Sequence, residues 1–218
     1  MISFVVILDA TNNRVFVGSG NKVYAFDRAT GVPITGWEAG IPIGAAGTVN
    51  TTPVIFNGNL WILNSLDDLY RLNPATGAQI PQLAYGDAVG AIGDGAAPAV
   101  QTDTYLGYDI VVFTVGNRFY RILWNNAGGG TVVNWQWLGT TGTVGTISPV
   151  IDANGWSYVL DSMGYLNAYY RYGPFWAPKV FSKKLATQGT MTGGIIVGND
   201  GKLYVPSQNG TFYGLDRP

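Results

Sequence analysis

The stretch Leu203–Arg217 reads LYVPSQNGTFYGLDR: an apolar strand, a polar turn that contains Asn-Gly, and a second, aromatic strand that ends on Asp216. Closely similar stretches occur at Val15–Asp27 (VFVGSGNKVYAFD) and at Leu60–Asn73 (LWILNSLDDLYRLN). An Asn-Gly pair between alternating apolar residues is a strong signal of a β-hairpin. The chain is therefore organised around repeats of one hairpin.

The repeat is seen most easily from one position in each of its two strands. The first marker falls at Phe16, Trp61, Val112, Tyr158 and Tyr204, and the second at Tyr24, Tyr70, Tyr120, Asn167 and Tyr213. The spacing of roughly 45–50 residues is typical of propeller blades. The sequence predicts an all-β fold, a β-propeller of about five four-stranded antiparallel blades. The predicted blades are roughly 1–47, 48–94, 95–144, 145–188 and 189–218, in a single domain that could belong to a longer chain.

The predicted blades share one order of strands. An apolar run, such as Val5–Leu8, comes first and is predicted to be the inner, doubly buried strand. The two hairpin strands follow, and then a fourth strand that often carries Trp (Trp37, Trp135 and Trp137, Trp176). The last copy stops at Pro218 before a fourth strand, so its blade is predicted to be incomplete. An unpaired strand edge attracts other strands, and we expect the N-terminal segment or sequence beyond this chain to cover it.

The composition excludes several classes of function. The 218 residues carry a net charge of −1 and only 11% charged residues, against about 25% in an average domain. No Lys/Arg cluster is longer than Lys183-Lys184, so we expect no nucleic-acid partner. The chain has no Cys and no His, which excludes disulfides, thiolate metal sites and Ser-His-Asp catalysis. No stretch reaches 18 uninterrupted apolar residues, so no membrane span is expected.

Two nearly identical turns follow the hairpin, Asp27–Gly31 (DRATG) and Asn73–Gly77 (NPATG). Asp and Asn accept N–H bonds two or three residues ahead, and Gly tolerates positive φ. With the Leu-Tyr strands before it and a Trp after it, this pattern resembles the pyrroloquinoline-quinone-type β-propeller repeat. The resemblance implies the architecture. The dehydrogenases of that family hold the quinone against a Trp floor and adjacent cysteines, with Ca²⁺ nearby, and this chain lacks the cysteines, so no cofactor is expected.

Acidic and aromatic side chains are the candidate site residues. Asp67, Asp68 and Asp161 lie in the connection between the second and third strands, where carboxylates could bind Ca²⁺ or act as glycosidase acid and base. Tyr172, Phe175 and Trp176 could stack on a sugar or anchor a protein, although packing between blades explains them as well. The turn residues Gln208 and Asn209 complete this candidate ligand or partner surface.

These observations favour a non-catalytic binding or scaffold module that contacts a protein partner or a neighbouring domain. No catalytic, cofactor or metal residue is assigned, so an enzyme is the less favoured interpretation. The alternatives are a carbohydrate-binding, lectin-like or glycosidase-type five-bladed propeller, and a divergent quinoprotein without cofactor. Low charge with many Thr, Asn, Gly and Tyr residues is typical of an extracytoplasmic protein, whether secreted, periplasmic or on the cell surface.

Overall fold

The described part of the chain is made of β-strands that form five antiparallel sheets. This computed structural model describes residues 5–44, 47–49, 51–66, 68–83, 96–103, 107–115, 118–125, 131–139, 147–170, 179–185, 194–207 and 210–217. Four sheets have four strands each and the fifth has three. The predicted all-β fold of about five blades, with an incomplete last blade, is confirmed.

The strands are grouped into two compact units, Met1–Pro98 and Ala99–Pro218. The prediction that all five blades form one domain stays a prediction. In the first unit, sheet 1 contains β1 (Val5–Asp9), β2 (Arg14–Ser19), β3 (Lys22–Asp27) and β4 (Ile41–Pro42), and sheet 2 contains β5 (Val54–Phe56), β6 (Asn59–Leu63), β7 (Leu69–Leu72) and β8 (Gln79–Leu83).

The second unit holds the other three sheets, and in each sheet strands that follow one another along the chain lie side by side. Sheet 3 contains β9 (Ala99–Asp103), β10 (Tyr108–Val115), β11 (Arg118–Asn125) and β12 (Thr131–Gly139); sheet 4 contains β13 (Val150–Ile151), β14 (Ser157–Leu160), β15 (Tyr165–Tyr169) and β16 (Lys179–Lys184); sheet 5 contains β17 (Ile196–Val197), β18 (Lys202–Pro206) and β19 (Phe212–Asp216).

The register of the central hairpin is the same in all five sheets. In every sheet the residue after the first marker faces the second marker across the strand pair. The five pairs are Val17 with Tyr24, Ile62 with Tyr70, Phe113 with Tyr120, Val159 with Asn167, and Val205 with Tyr213. A shift of one residue would turn every side chain to the opposite face of its sheet. The common register therefore defines equivalent positions in the five sheets.

Two details of the predicted blades are wrong. The first strands are not doubly buried, because Val6, Leu8 and Ile196 are exposed, whereas all the residues of β6, β7 and β14 are buried. A first strand has a neighbour on one side only among the described strands. In addition, Trp37 lies in a turn before β4, where its buried ring packs edge-on against Phe16 at 5.2 Å between ring centroids.

Candidate functional site

Asp161 closes the turn between β14 and β15, as predicted, but its side chain is fully buried. Its Oδ1 accepts hydrogen bonds from the backbone N–H groups of Met163 (3.0 Å) and Tyr165 (2.9 Å). Its Oδ2 accepts a longer bond of 3.4 Å from the amide of Asn167. A buried carboxylate is stabilised by such donors, and these bonds are made inside the turn. Asp161 therefore serves the turn and is not exposed to a ligand in this structure.

Asn64 does in sheet 2 what Asp161 does in sheet 4. Its Oδ1 accepts from the backbone N–H groups of Leu66 (2.9 Å) and Asp68 (3.0 Å). Its amide also lies 3.3 Å from Oδ2 of Asp68. Asp68 is half-buried beside this turn. The carboxylate of Asp68 thus takes part in a local network and keeps some contact with solvent.

The other predicted site residues lie outside the described part of the chain. They are Asp67, Tyr172, Phe175, Trp176, Gln208 and Asn209. Their role in a ligand or partner surface stays a prediction, as does binding of Ca²⁺ or carbohydrate. Within the described residues, no three Asp or Glu side chains come together in a way that could hold a metal ion.

The hydrogen bonds predicted for the turns Asp27–Gly31 and Asn73–Gly77 are present in both turns. Asp27 Oδ1 accepts from the N–H groups of Ala29 (3.0 Å) and Thr30 (2.8 Å), and Asn73 Oδ1 accepts from the two equivalent N–H groups at 2.8 and 3.3 Å. Gly31 and Gly77 close the turns with φ of 70° and 73°. The pKa of Asp27 is lowered most by the hydrogen bond from the hydroxyl of Thr30, and next by the hydrogen bond from the N–H of Thr30.

The outer edge of β19 was not among the candidate sites predicted from the sequence. Among the described strands, β19 pairs with β18 only. The N–H of Ser207 donates to the carbonyl of Thr211 at 2.9 Å, and hydrogen-bonded pairs alternate along an antiparallel ladder. The pairs of Val205 with Tyr213 and of Leu203 with Leu215 therefore exchange hydrogen bonds. The peptide groups of Phe212, Gly214 and Asp216 point away from β18, toward the edge that no described strand covers.

A cleft of about 340 Å³ lies against this edge, between β16 and β19. Its lining combines two apolar side chains, a lysine, an aspartate and a glycine backbone: Phe181, Lys183, Gly214, Leu215 and Asp216. Lys183 is exposed. A hydrogen bond from Lys202, followed by the charge of the same ammonium, lowers the pKa of Asp216, and the charge of Lys183 adds to this effect. The cleft therefore offers an apolar surface beside one cationic and one anionic side chain.

A sequence signal for this place exists. In β16 the residues Phe181 and Lys183 are two apart, so they lie on the same face of the strand. Gly214 interrupts an otherwise bulky strand, and a strand glycine often marks a close approach of another backbone. These signals become specific only when β16 and β19 are known to be neighbours.

Comparison with solved structures places these sheets in a known architecture. BamB from Moraxella catarrhalis is similar to 97% of this chain, with a TM-score of 0.67 and 16% identity. The quinohemoprotein alcohol dehydrogenase from Comamonas testosteroni is similar to 100% of it, also with a TM-score of 0.67 and 16% identity. The fold is that of a β-propeller. The resemblance to quinoprotein-type propellers, recognised from the repeat, thus extends to the structure.

The extracellular domain of a one-component system from B. thetaiotaomicron is a third similar structure, with a TM-score of 0.59, 15% identity and 97% of this chain covered. The matched regions are 56%, 41% and 27% of these three chains, so this propeller chain spans about half of their length or less. No protein-family model and no curated protein matches the sequence. No helix in the described part of the chain is both long and apolar enough to cross a membrane.

Proposed function

We propose that this propeller is a non-catalytic protein-binding module, and that it binds an extended segment of a protein partner as a further strand along β19. The observation that carries the proposal is the edge of β19 that no described strand covers, with the peptide groups of Phe212, Gly214 and Asp216 turned outward beside a cleft. In strand addition, main-chain hydrogen bonds supply affinity, and pockets for alternate side chains supply specificity.

The cleft defines the kind of segment that fits. Leu215 and Phe181 offer an apolar surface, and the ammonium group of Lys183 lies in the same cleft. Lys183 is exposed, and no carboxylate of the described residues lies within salt-bridge distance of it. A segment with alternating apolar and acidic side chains would place the apolar side chains against Leu215 and the acidic ones near Lys183.

An extracytoplasmic location is part of this proposal. The sequence has few charged residues and many Thr, Asn, Gly and Tyr residues, and one structure with the same fold is an extracellular domain. The extracellular domain supports a module that acts outside the cytoplasm. Cell fractionation of the tagged full-length protein tests this point, and recovery in the cytoplasmic fraction alone would contradict it.

A random peptide library displayed on phage is a suitable probe because the partner is unidentified. Peptides selected on the wild-type protein are then measured against Gly214→Pro and Gly214→Ala. Proline removes the outward N–H of residue 214 but leaves the hydrogen bonds to β18 in place. Alanine is the matched control, because a Cβ on Gly214 would lie at an ordinary distance of 3.5 Å from Tyr204.

We expect selected peptides to alternate apolar and acidic residues, and to bind the proline variant at least about tenfold more weakly, which corresponds to the loss of one or two hydrogen bonds. The alanine variant should bind like the wild type. Equal binding to all three proteins, or failure to select any peptide, would overturn strand addition at β19. The second outcome would mean that another segment already occupies the edge.

A further inference from the structure

Within each of the two units, neighbouring sheets contact each other through two different faces. Between sheets 4 and 5, one buried cluster forms. Sheet 4 contributes Val150, Tyr158, Leu160, Leu166 and Ala168, and sheet 5 contributes Val197, Leu203, Val205, Tyr213 and Leu215. We call the first set the forward face of sheet 4 and the second set the rear face of sheet 5. The equivalent positions in the other sheets follow from the common register.

The contact between sheets 1 and 2 repeats this arrangement. Sheet 1 contributes Ile7, Phe16, Val23 and Ala25, which are at forward-face positions, and sheet 2 contributes Ile55, Leu60, Ile62, Tyr70 and Leu72, which are at rear-face positions. The cluster between sheets 3 and 4 has the same arrangement. Val112 and Phe119 are at forward-face positions of sheet 3, and Val159 and Tyr169 are at rear-face positions of sheet 4. Each of these contacts therefore joins a forward face to a rear face.

Sheet 5 leaves its own forward face exposed. Ile196 is 55% exposed and Phe212 is 59% exposed. The ring of Phe212 stacks on Tyr204 at 5.7 Å between centroids, and Tyr204 is equivalent to the buried Tyr158 of sheet 4. At one end of this face, Lys202 and Asp216 form an ion pair. The equivalent positions of sheet 4 hold the aromatic pair Trp156 and Tyr170. An apolar centre with a charged rim is the usual composition of a protein interface.

Sheet 1 leaves the opposite, rear face exposed. Val6 is 48% exposed and Leu8 is 60% exposed. The centre of this face is half-buried and uncharged: Val15, Val17, Tyr24 and Phe26. Lys22 lies at the end of the same face, where its Nζ donates to the carbonyl of Ala39 at 2.9 Å. Val15, Val17, Tyr24 and Phe26 are equivalent to Leu203, Val205, Tyr213 and Leu215, which are the residues of sheet 5 that pack on sheet 4.

We propose that two copies of this chain associate head to tail, with the forward face of sheet 5 in one copy packed on the rear face of sheet 1 in the other. A second copy is the occupant because this chain itself carries both faces of a contact that it already makes between its own sheets. Both faces are uncharged at their centres, so their burial costs little desolvation and removes exposed apolar surface from water. Such an interface is heterologous, and it produces a closed ring or a longer array.

Crosslinking of introduced cysteines tests this contact, because the chain has none of its own. Leu8→Cys and Phe212→Cys are made as separate proteins, mixed in equal amounts and treated with a bismaleimide. We expect a crosslinked dimer in the mixture at a yield several times that of either protein alone. Met163→Cys is the matched control, since this residue is 53% exposed but lies in the turn before β15. A yield no higher than in mixtures with the control would overturn the proposal.

The mass in solution gives a second, independent result. Light scattering should give a multiple of the chain mass of 23.3 kDa for the wild type. Leu8→Arg and Phe212→Arg should each lower it to that of one chain, while circular dichroism shows that the exposed substitutions leave the fold intact. A wild type that stays at 23.3 kDa at every concentration would overturn the proposal. Peptide binding at β19 is measured in a separate experiment. Failure of one proposal therefore does not decide the other.

Discussion

Arg217 reaches from the end of β19 in sheet 5 to the buried carboxylate of Asp152, which directly follows β13 of sheet 4, with 3.3 Å between Nη1 and Oδ2. Its Nε also donates to the carbonyl of Gly201 at 2.8 Å. The same Oδ2 of Asp152 accepts from the hydroxyl of Tyr158 at 3.0 Å. Burial of the phenol, and next the charge of Asp152, raise the pKa of Tyr158 well above its ordinary value. One guanidinium thus links the two sheets through a buried anion.

Replacement of Arg217 by Met should destabilise the protein by about 1–3 kcal/mol, because a buried charge loses a charged partner. The loss should not be larger, since Asp152 keeps hydrogen bonds from the N–H groups of Asn154 and Trp156. Urea unfolding followed by Trp fluorescence gives the free energy of unfolding. Lys202→Met is the matched control, because its ion pair with Asp216 is exposed and solvent screens such a pair, so the loss should be clearly smaller than for Arg217→Met. Equal losses in the two variants would contradict this account of Asp152.

The local parts of the fold could be predicted from the sequence because each depends on residues close along the chain. The two turns that begin at Asp27 and Asn73 need only a side-chain acceptor, two nearby N–H groups and a glycine at positive φ. The central hairpins need only alternation and a turn, and a common register follows from them in all five sheets.

Contacts between elements could not be predicted in the same way. The burial of Asp161 depends on its packing among neighbouring strands, while the sequence shows only an acidic residue in a turn. The pairing of Arg217 with Asp152 joins residues 65 apart, and it requires sheets 4 and 5 to be packed together. The cleft beside β19 likewise brings Lys183 to Asp216 from two different sheets.

Gly31 and Gly77 occupy the same place in equivalent turns and should nevertheless respond differently to alanine. Both have positive φ, so each substitution should cost about 1–2 kcal/mol in backbone strain. A Cβ on Gly31 would meet nothing within 4 Å, whereas one on Gly77 would lie 2.6 Å from Cδ1 of Ile41. We expect Gly77→Ala to lose a further 1–3 kcal/mol, roughly, from this overlap. Unfolding midpoints in urea compare the two, and the same loss in both would show that the turn of sheet 2 relaxes freely.

Asp161→Asn should be tolerated, because Asn64 performs the same turn bonding in sheet 2. We expect a loss of about 1 kcal/mol at most, for the long bond to Asn167, and about 1–3 kcal/mol for Asp161→Ala, which leaves buried N–H groups without an acceptor. Thermal unfolding measures both.

A panel of chromogenic glycosides tests the alternative function, glycoside hydrolysis, in parallel. Hydrolysis by the wild type that disappears in a stable Asp161→Asn protein would show that this carboxylate is catalytic.

Asp27 should contribute to the loss of stability in acid. In the folded state the pKa of Asp27 lies below the ordinary aspartate value of 3.8, because Asp27 accepts hydrogen bonds, first of all from the hydroxyl of Thr30. A group whose folded pKa is depressed stabilises the protein above the unfolded pKa, and this stabilisation is lost as the pH falls through the folded pKa. Asp27→Asn keeps the acceptor of the turn, as Asn73 shows, but cannot be protonated in this range. Urea midpoints from pH 7 to about pH 2 should therefore fall less steeply below about pH 4 in the variant, and parallel curves for the two proteins would contradict the assignment.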